Sequence, residues 1–108
     1  VGLWNHVDAA DASVTLVAMI EDPEALDEVD AIARTDGLHG AFIGRGDLTV
    51  AMGAAGMEAP EVRAAVERIT AAMKRAGKPV CVMATGVEDA KAMRALGATA
   101  FVVASDQG

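Results

Sequence analysis

Four short apolar runs, separated by amphipathic stretches of helix length, constrain this chain more than any other feature. The first, Val14-Thr15-Leu16-Val17-Ala18-Met19-Ile20, is continuous rather than alternating. An uninterrupted apolar run of strand length is what a strand buried on both faces requires, the usual situation in a parallel sheet. Gly40–Ile43, Pro79–Met83 and Ala100–Ala104 follow at intervals long enough to hold a helix. Parallel neighbours cannot be joined by hairpins, so each pair needs a crossover, which is right-handed in nearly all proteins. The order β-α-β-α-β-α-β therefore predicts an α/β fold of parallel β/α units, in one domain over residues 1–108. An open doubly wound sheet and a (β/α) barrel satisfy that order equally, and periodicity does not choose between them.

Local punctuation sets the helices. Glu21 closes the first run, Asp22 stands as N-cap and Pro23 at the first helical position. Leu26, Val29 and Ile32-Ala33 then fall at helical spacing, and the helix is expected to stop near Asp36-Gly37. Gly44-Arg45-Gly46-Asp47 reads as a glycine-bracketed loop leading into a short helix, Leu48 to Met52. Val62, Val66, Ile69 and Met73 form the apolar stripe of a longer helix closed by Gly77. Thr85-Gly86-Val87-Glu88 spells a capping box for a helix with Ala90, Met93 and Leu96 on its inner face, ended by Gly97. The residues ahead of Val14, His6 among them, read as a polar leader.

Composition removes several classes of function. A net charge of -7 opposes binding to nucleic acid, which needs a basic footprint, and to an anionic membrane. Neither a signal sequence nor an apolar run of membrane length is present, so a cytoplasmic protein is expected. Cys81 stands alone within Pro79–Met83, where a buried, reduced thiol is the natural role. The chain starts at Val1 without an initiator Met, and is expected to be part of a longer or processed protein.

In parallel α/β folds the loops leaving the C-terminal ends of the strands share one face and build the active site. Those positions hold Glu21, Gly44-Arg45-Gly46-Asp47, Ala84-Thr85 and Ser105-Asp106. If sequence neighbours pair, Glu21 and Asp47 project toward the same space. Two carboxylates so placed repel unless a proton or cation intervenes, and oxygen-only ligation favours a hard divalent ion such as Mg²⁺ or Mn²⁺. The glycines beside Arg45 let the backbone approach a ligand and leave N–H groups free at a helix start, an anion site for a carboxylate. Helix capping accounts for the same acids equally well: Glu21 with Asp22 at one helix start, Asp47 as N-cap at the next. Arg45-Gly46-Asp47 also spells a cell-adhesion tripeptide, read as chance in a chain without a secretion signal.

Met19-Ile20-Glu21, then Phe42-Ile43-Gly44-Arg45-Gly46-Asp47-Leu48-Thr49, then Met52-Gly53 resembles the HpcH/HpaI aldolase family, related to citrate lyase β subunits. That family has an Ile-Glu pair ending its fifth barrel strand and an Ile-Gly-Pro-Ala-Asp-Leu-Ser block after the sixth. Ala76-Gly77-Lys78-Pro79, Leu96-Gly97-Ala98 and Val103-Ala104-Ser105-Asp106 resemble it in order and spacing too. The resemblance implies the C-terminal half of a TIM (β/α)8 barrel, with Glu21 and Asp47 as ligands of a divalent metal (Mg²⁺, Mn²⁺ or Co²⁺). It implies that the backbone amides of Gly46 and Asp47 hold the carboxylate of pyruvate or its enolate. The implied reaction is class II aldol cleavage of 2-oxo-3-deoxy (4-hydroxy-2-oxo) acids to pyruvate and an aldehyde.

Arg45 departs from the usual Pro, Gly46 from Ala and Thr49 from Ser. The first two changes are expected to loosen the loop, and Arg45 to add a charge at its mouth that favours an acidic substrate. The family's general-base His and enolate-steadying Arg lie upstream of the matching region, so no catalytic acid or base is expected in this chain. His6 and His39 do not match that motif, and a solvent-facing or capping role is expected of each. Two alternatives remain: a CoA-ester lyase of the citrate or malyl type, and a non-catalytic half barrel. A half barrel exposes two strand edges and an apolar face, so a homo-oligomer or pairing with the missing barrel half is expected. A flavodoxin-like domain fits less well, because Glu21-Asp22-Pro23 lacks the glycines of a phosphate loop.

Overall fold

A computed structural model describes the backbone of residues 3–8 and 13–14 and the complete residues 15–103. The strands are β1 (Leu3–Asp8), β2 (Ser13–Ile20), β3 (Leu38–Ile43), β4 (Val80–Ala84) and β5 (Ala100–Val103). The helices are α1 (Pro23–Asp27), α2 (Val29–Ala33), α3 (Arg45–Met52), α4 (Pro60–Arg75) and α5 (Val87–Ala95). The strands form one sheet in the order β1-β2-β3-β4-β5, with β2 to β5 parallel.

That order resolves what periodicity left open. A doubly wound sheet reverses direction at a switch point and carries helices on both faces. Here each strand is laid down beside its predecessor without reversal, and right-handed crossovers moving in one direction place every helix on the same face. The burial pattern agrees. Ala18, Ile20, Ala41, Ile43, Val80 and Val82 point into the core with Leu26, Val29, Leu48, Val66, Ile69 and Met73. The alternate residues Val17, Met19, Phe42 and Cys81 are only partly buried. Met83 and Val102 on that face are 49% and 47% exposed, so no helix of the described residues covers it. This is barrel-type winding.

The polar leader reading is corrected. Leu3–Asp8 is a strand, antiparallel to β2 and in register from Leu3 opposite Ala18 to Asp8 opposite Ser13. The buried parallel strand β2 is therefore not an edge, as a bare half barrel requires; the sheet's outer strands are β1 and β5. His6 lies in β1. His39 lies in β3, exposed, and its Nδ1 accepts a hydrogen bond from the Leu16 N–H at 3.1 Å. That bond falls where the β2–β3 register shifts between Leu16 and Val17, so His39 does cap a backbone donor that the irregular ladder leaves free.

The expected first helix is two short ones. At Glu28 the N–H bonds to the carbonyl of Ala25 at 3.2 Å, a tighter turn than the α ladder, with Leu26 buried before it and Val29 and Ala33 after it. Asp22 caps α1, its Oδ1 accepting from the Ala25 N–H at 2.8 Å, with Pro23 at the first turn. Lys78 closes this segment from a distance, its Nζ donating to the carbonyls of Ala33 and Thr35 at 2.6 and 2.8 Å. The capping box ahead of α5 is displaced by one residue. Gly86 is the N-cap, and Asp89 rather than Glu88 reaches back to accept from the Thr85 N–H at 2.9 Å. No helix of the described residues is long and apolar enough to cross a membrane.

Candidate metal and carboxylate site

Ile20 ends β2, Ile43 ends β3, and the two are register partners. The next residues, Glu21 and Gly44, therefore leave the sheet side by side, and the Gly44 N–H donates to the Ile20 carbonyl at 3.0 Å. The expected glycine-bracketed loop is not a loop. Helix α3 starts at Arg45 instead of Leu48, with Gly44 as N-cap and no side-chain cap. Leu48 donates the first bond of the helical ladder, to the Gly44 carbonyl at 2.9 Å. The N–H groups of Arg45, Gly46 and Asp47 precede it and have no partner within the helix. Gly46 and Asp47 are exposed, so their amides stand open at the positive end of an eight-residue helix.

The start at Arg45 changes what Asp47 can do. It is not an N-cap but the third helical residue, from which a carboxylate can turn back over the N-cap. A Cβ placed on Gly44 lies 3.2 Å from the Glu21 Cβ, and 3.6 Å from both Asp47 Oδ2 and Glu21 Oε1. The two carboxylate oxygens thus flank one small space over Gly44, no farther apart than twice 3.6 Å. Glu21 is not the α1 cap either, because Asp22 fills that role. Among the described residues, neither carboxylate takes a hydrogen bond or an ion pair. Neither residue is thus the N-cap itself: Glu21 precedes the cap of α1, and Asp47 lies in the first turn of α3, where the helix dipole also favours an acid.

A hard divalent cation fits this donor set. Two carboxylates with no other partner among the described residues, flanking a glycine, suit Mg²⁺-like ions, which take one or two carboxylates and keep water or substrate oxygens elsewhere. No group of three or more His, Cys, Asp or Glu stands together among the described residues, so no all-protein cage forms there.

Arg45 departs most from expectation. Its side chain is 2% exposed and offers no charge to the mouth. The guanidinium grips Asp89 with two nitrogens, Nη1 donating to Oδ1 at 3.2 Å and Nη2 to Oδ2. Nη2 also donates to the Met83 carbonyl at 3.0 Å. Burial by itself pushes the Asp89 carboxyl up, but the Arg45 hydrogen bonds, the Thr85 N–H and the Arg45 charge together hold it below its ordinary value. Thr49 adds a bond at the same place, its Oγ1 donating to the Arg45 carbonyl at 2.6 Å. The start of α3, where Arg45 and Gly46 are expected to loosen the chain, is thus tied by side-chain bonds to the turn after β4. Asp89 is not legible from sequence as the partner: it lies 44 residues from Arg45, and no short motif joins them.

Cys81 is half-buried on the uncovered face of β4, and burial pushes its thiol up, as suits an unreactive side chain. Ser105 and Asp106 lie outside the described residues.

Comparison with known proteins joins this geometry to one group. The family model described as HpcH/HpaI aldolase/citrate lyase matches residues 5–108. A protein named 5-keto-4-deoxy-D-glucarate aldolase from Citrobacter koseri is 39% identical over 97 residues, covering 89% of this chain and 38% of the relative. One of the same name from an Enterobacter species is 37% identical over 105 residues, covering 96% and 41%. Among solved structures, an HpcH/HpaI aldolase/citrate lyase family protein from Burkholderia cenocepacia superimposes with a TM-score of 0.80 at 33% identity. That match covers 87% of this chain and 37% of the other. The chain thus spans about two fifths of the length of these relatives.

Proposed function

This chain belongs to the HpcH/HpaI aldolase/citrate lyase family, and we infer that it supplies the metal- and carboxylate-binding part of a class II aldolase. The reaction is cleavage of 2-oxo-3-deoxy (4-hydroxy-2-oxo) acids to pyruvate and an aldehyde. The observation that carries the inference is the pair of carboxylates over Gly44, free of other partners among the described residues, beside the open amides of α3. Relatives named for an aldolase acting on a keto-deoxy sugar acid support the reaction class.

In this reading Glu21 and Asp47 hold Mg²⁺ or Mn²⁺. The ion, when bound, supplies Lewis-acid polarisation of the 2-oxo group and offsets the negative charge that grows as the carbon–carbon bond breaks. The Gly46 and Asp47 N–H groups donate to the substrate carboxylate, and the dipole of α3 favours an anion at that end. Donors that are already oriented stabilise this charge without reorganising during the reaction. His39 cannot serve as the base here, because it sits at the entry end of β3 with Nδ1 engaged by Leu16. Proton transfer then falls to a group outside the described residues. The uncovered apolar face of the sheet fits the same reading, since in a barrel that face is interior.

Isothermal titration of Mn²⁺ into the wild-type chain and Asp47→Ala tests the assignment. Saturable binding by the wild type and its loss in the variant is expected. Equal binding by the two refutes it.

A further inference from the structure

We propose that the Arg45–Asp89 ion pair is a positioning device for this site. It locks the start of α3, and with it the Gly46 and Asp47 amides and the Asp47 carboxylate, against the turn between β4 and α5. The inference rests on the reading of Glu21 and Asp47 as metal ligands and deepens it.

Gly44 begins α3 without a side chain to hold the first turn. Two tethers replace one. The Gly44 N–H bonds to the Ile20 carbonyl, which joins the helix start to the strand that delivers Glu21. Arg45, the next residue, ties the same turn to the other side through Asp89 and the Met83 carbonyl. Asp89 is itself fixed by the Thr85 N–H at 2.9 Å. Asp47 follows Arg45 by two residues in the same helical turn, so any swing of the turn carries its carboxylate away from Glu21.

Stability alone does not account for this arrangement. A buried ion pair loses hydration on both partners, and apolar residues of similar volume are often as stable or more so. Arg45 loses more, because its Nε is buried with no hydrogen-bond partner among the described residues. What a guanidinium fork adds is direction: two parallel bonds to a carboxylate fix both groups in orientation as well as distance. A partner that orients a metal ligand typically changes metal affinity about 10- to 100-fold when removed.

The test is Mn²⁺ titration of the whole chain, wild type against D89N, R45K and the double variant R45M/D89L, with a urea denaturation curve for each. The double variant is expected to keep at least the wild-type urea midpoint yet bind Mn²⁺ about ten-fold more weakly. D89N, which keeps an oxygen for the Thr85 N–H, and R45K, which keeps the charge without the fork, are each expected to weaken binding several-fold. If the double variant does not fold, D89N and R45K decide the matter. Wild-type affinity in the folded variants, with binding abolished by Glu21→Ala, overturns the positioning role and leaves the metal site standing. A wild-type chain that binds no Mn²⁺ overturns both.

Discussion

Gly44 is the residue on which the carboxylate pair can be tested with one methyl group. Its φ is -87 and its ψ 84, so alanine adopts the same backbone without entering the left-handed region. In the unfolded chain alanine is the stiffer residue, which favours folding by about 0.4–1 kcal/mol. The new methyl meets the Glu21 Cβ at 3.2 Å, a contact close enough to offset that gain by on the order of 1 kcal/mol. Global stability of Gly44→Ala should therefore stay within about 1 kcal/mol of wild type. Its effect on the site should be larger. The methyl stands 3.6 Å from Asp47 Oδ2 and 3.6 Å from Glu21 Oε1, in the space between the two carboxylates. A Mg²⁺-sized ion sits about 2.1 Å from its oxygens and keeps several waters, so ion and methyl compete for one volume. Titration calorimetry with Mn²⁺ should show at least a ten-fold loss of affinity, about 1.4 kcal/mol. Gly56→Ala is the control. Nothing lies within 4 Å of its added methyl, neither carboxylate included, so its affinity should match wild type. Unchanged affinity in Gly44→Ala, with the fold intact, would refute the idea that the space over Gly44 is where a cation binds.

Two further outcomes follow from packing and charge. Gly97 has φ +116, and a Cβ there meets Thr70 Cβ and Oγ1 at 2.9 Å, just where Thr70 Oγ1 donates to the Leu96 carbonyl at 2.7 Å. Gly97→Ala should cost about 2–4 kcal/mol in urea denaturation, from backbone strain and overpacking together, and a loss under about 1 kcal/mol would contradict this account. Asp89 has its carboxyl held below the ordinary value in the folded chain. The folded state therefore binds this proton less readily than the unfolded state. Its stabilising contribution is full above the ordinary carboxylate range, about pH 4, and is lost as pH falls through the lowered folded value. Urea curves for wild type and D89N at a series of pH values should differ most above about pH 4 and converge at lower pH; a gap that widens on acidification would show the sign to be wrong.

The legible parts of this fold are those that local physics decides. Continuous apolar runs placed β2, β3, β4 and β5 to within two residues, and Asp22-Pro23 marked the start of α1 because N-cap and first-turn preferences act over a few bonds. Leu3–Asp8 mixes the β-favouring Trp4 and Val7 with Asn5, His6 and Asp8, which are too polar for a buried run; its pairing with β2 makes it a strand. The start of α3 departs from the sequence expectation for a related reason. Two glycines in four residues disfavour a helix, and propensity alone predicts a loop. The turn forms there because the Gly44 N–H finds Ile20 and the Arg45 side chain finds Asp89, contacts made across the sheet. Arg45 reads from sequence as a free charge, since arginine is seldom buried without a partner and its partner lies 44 residues away. Glu21 and Asp47 stood out because strand order alone delivers them to one end of the sheet, whatever holds them there. The same start at Arg45 that removes the loop also removes Asp47 from the N-cap and turns its carboxylate toward Glu21. Its candidacy as a ligand therefore depends on a tertiary contact that no window of sequence contains.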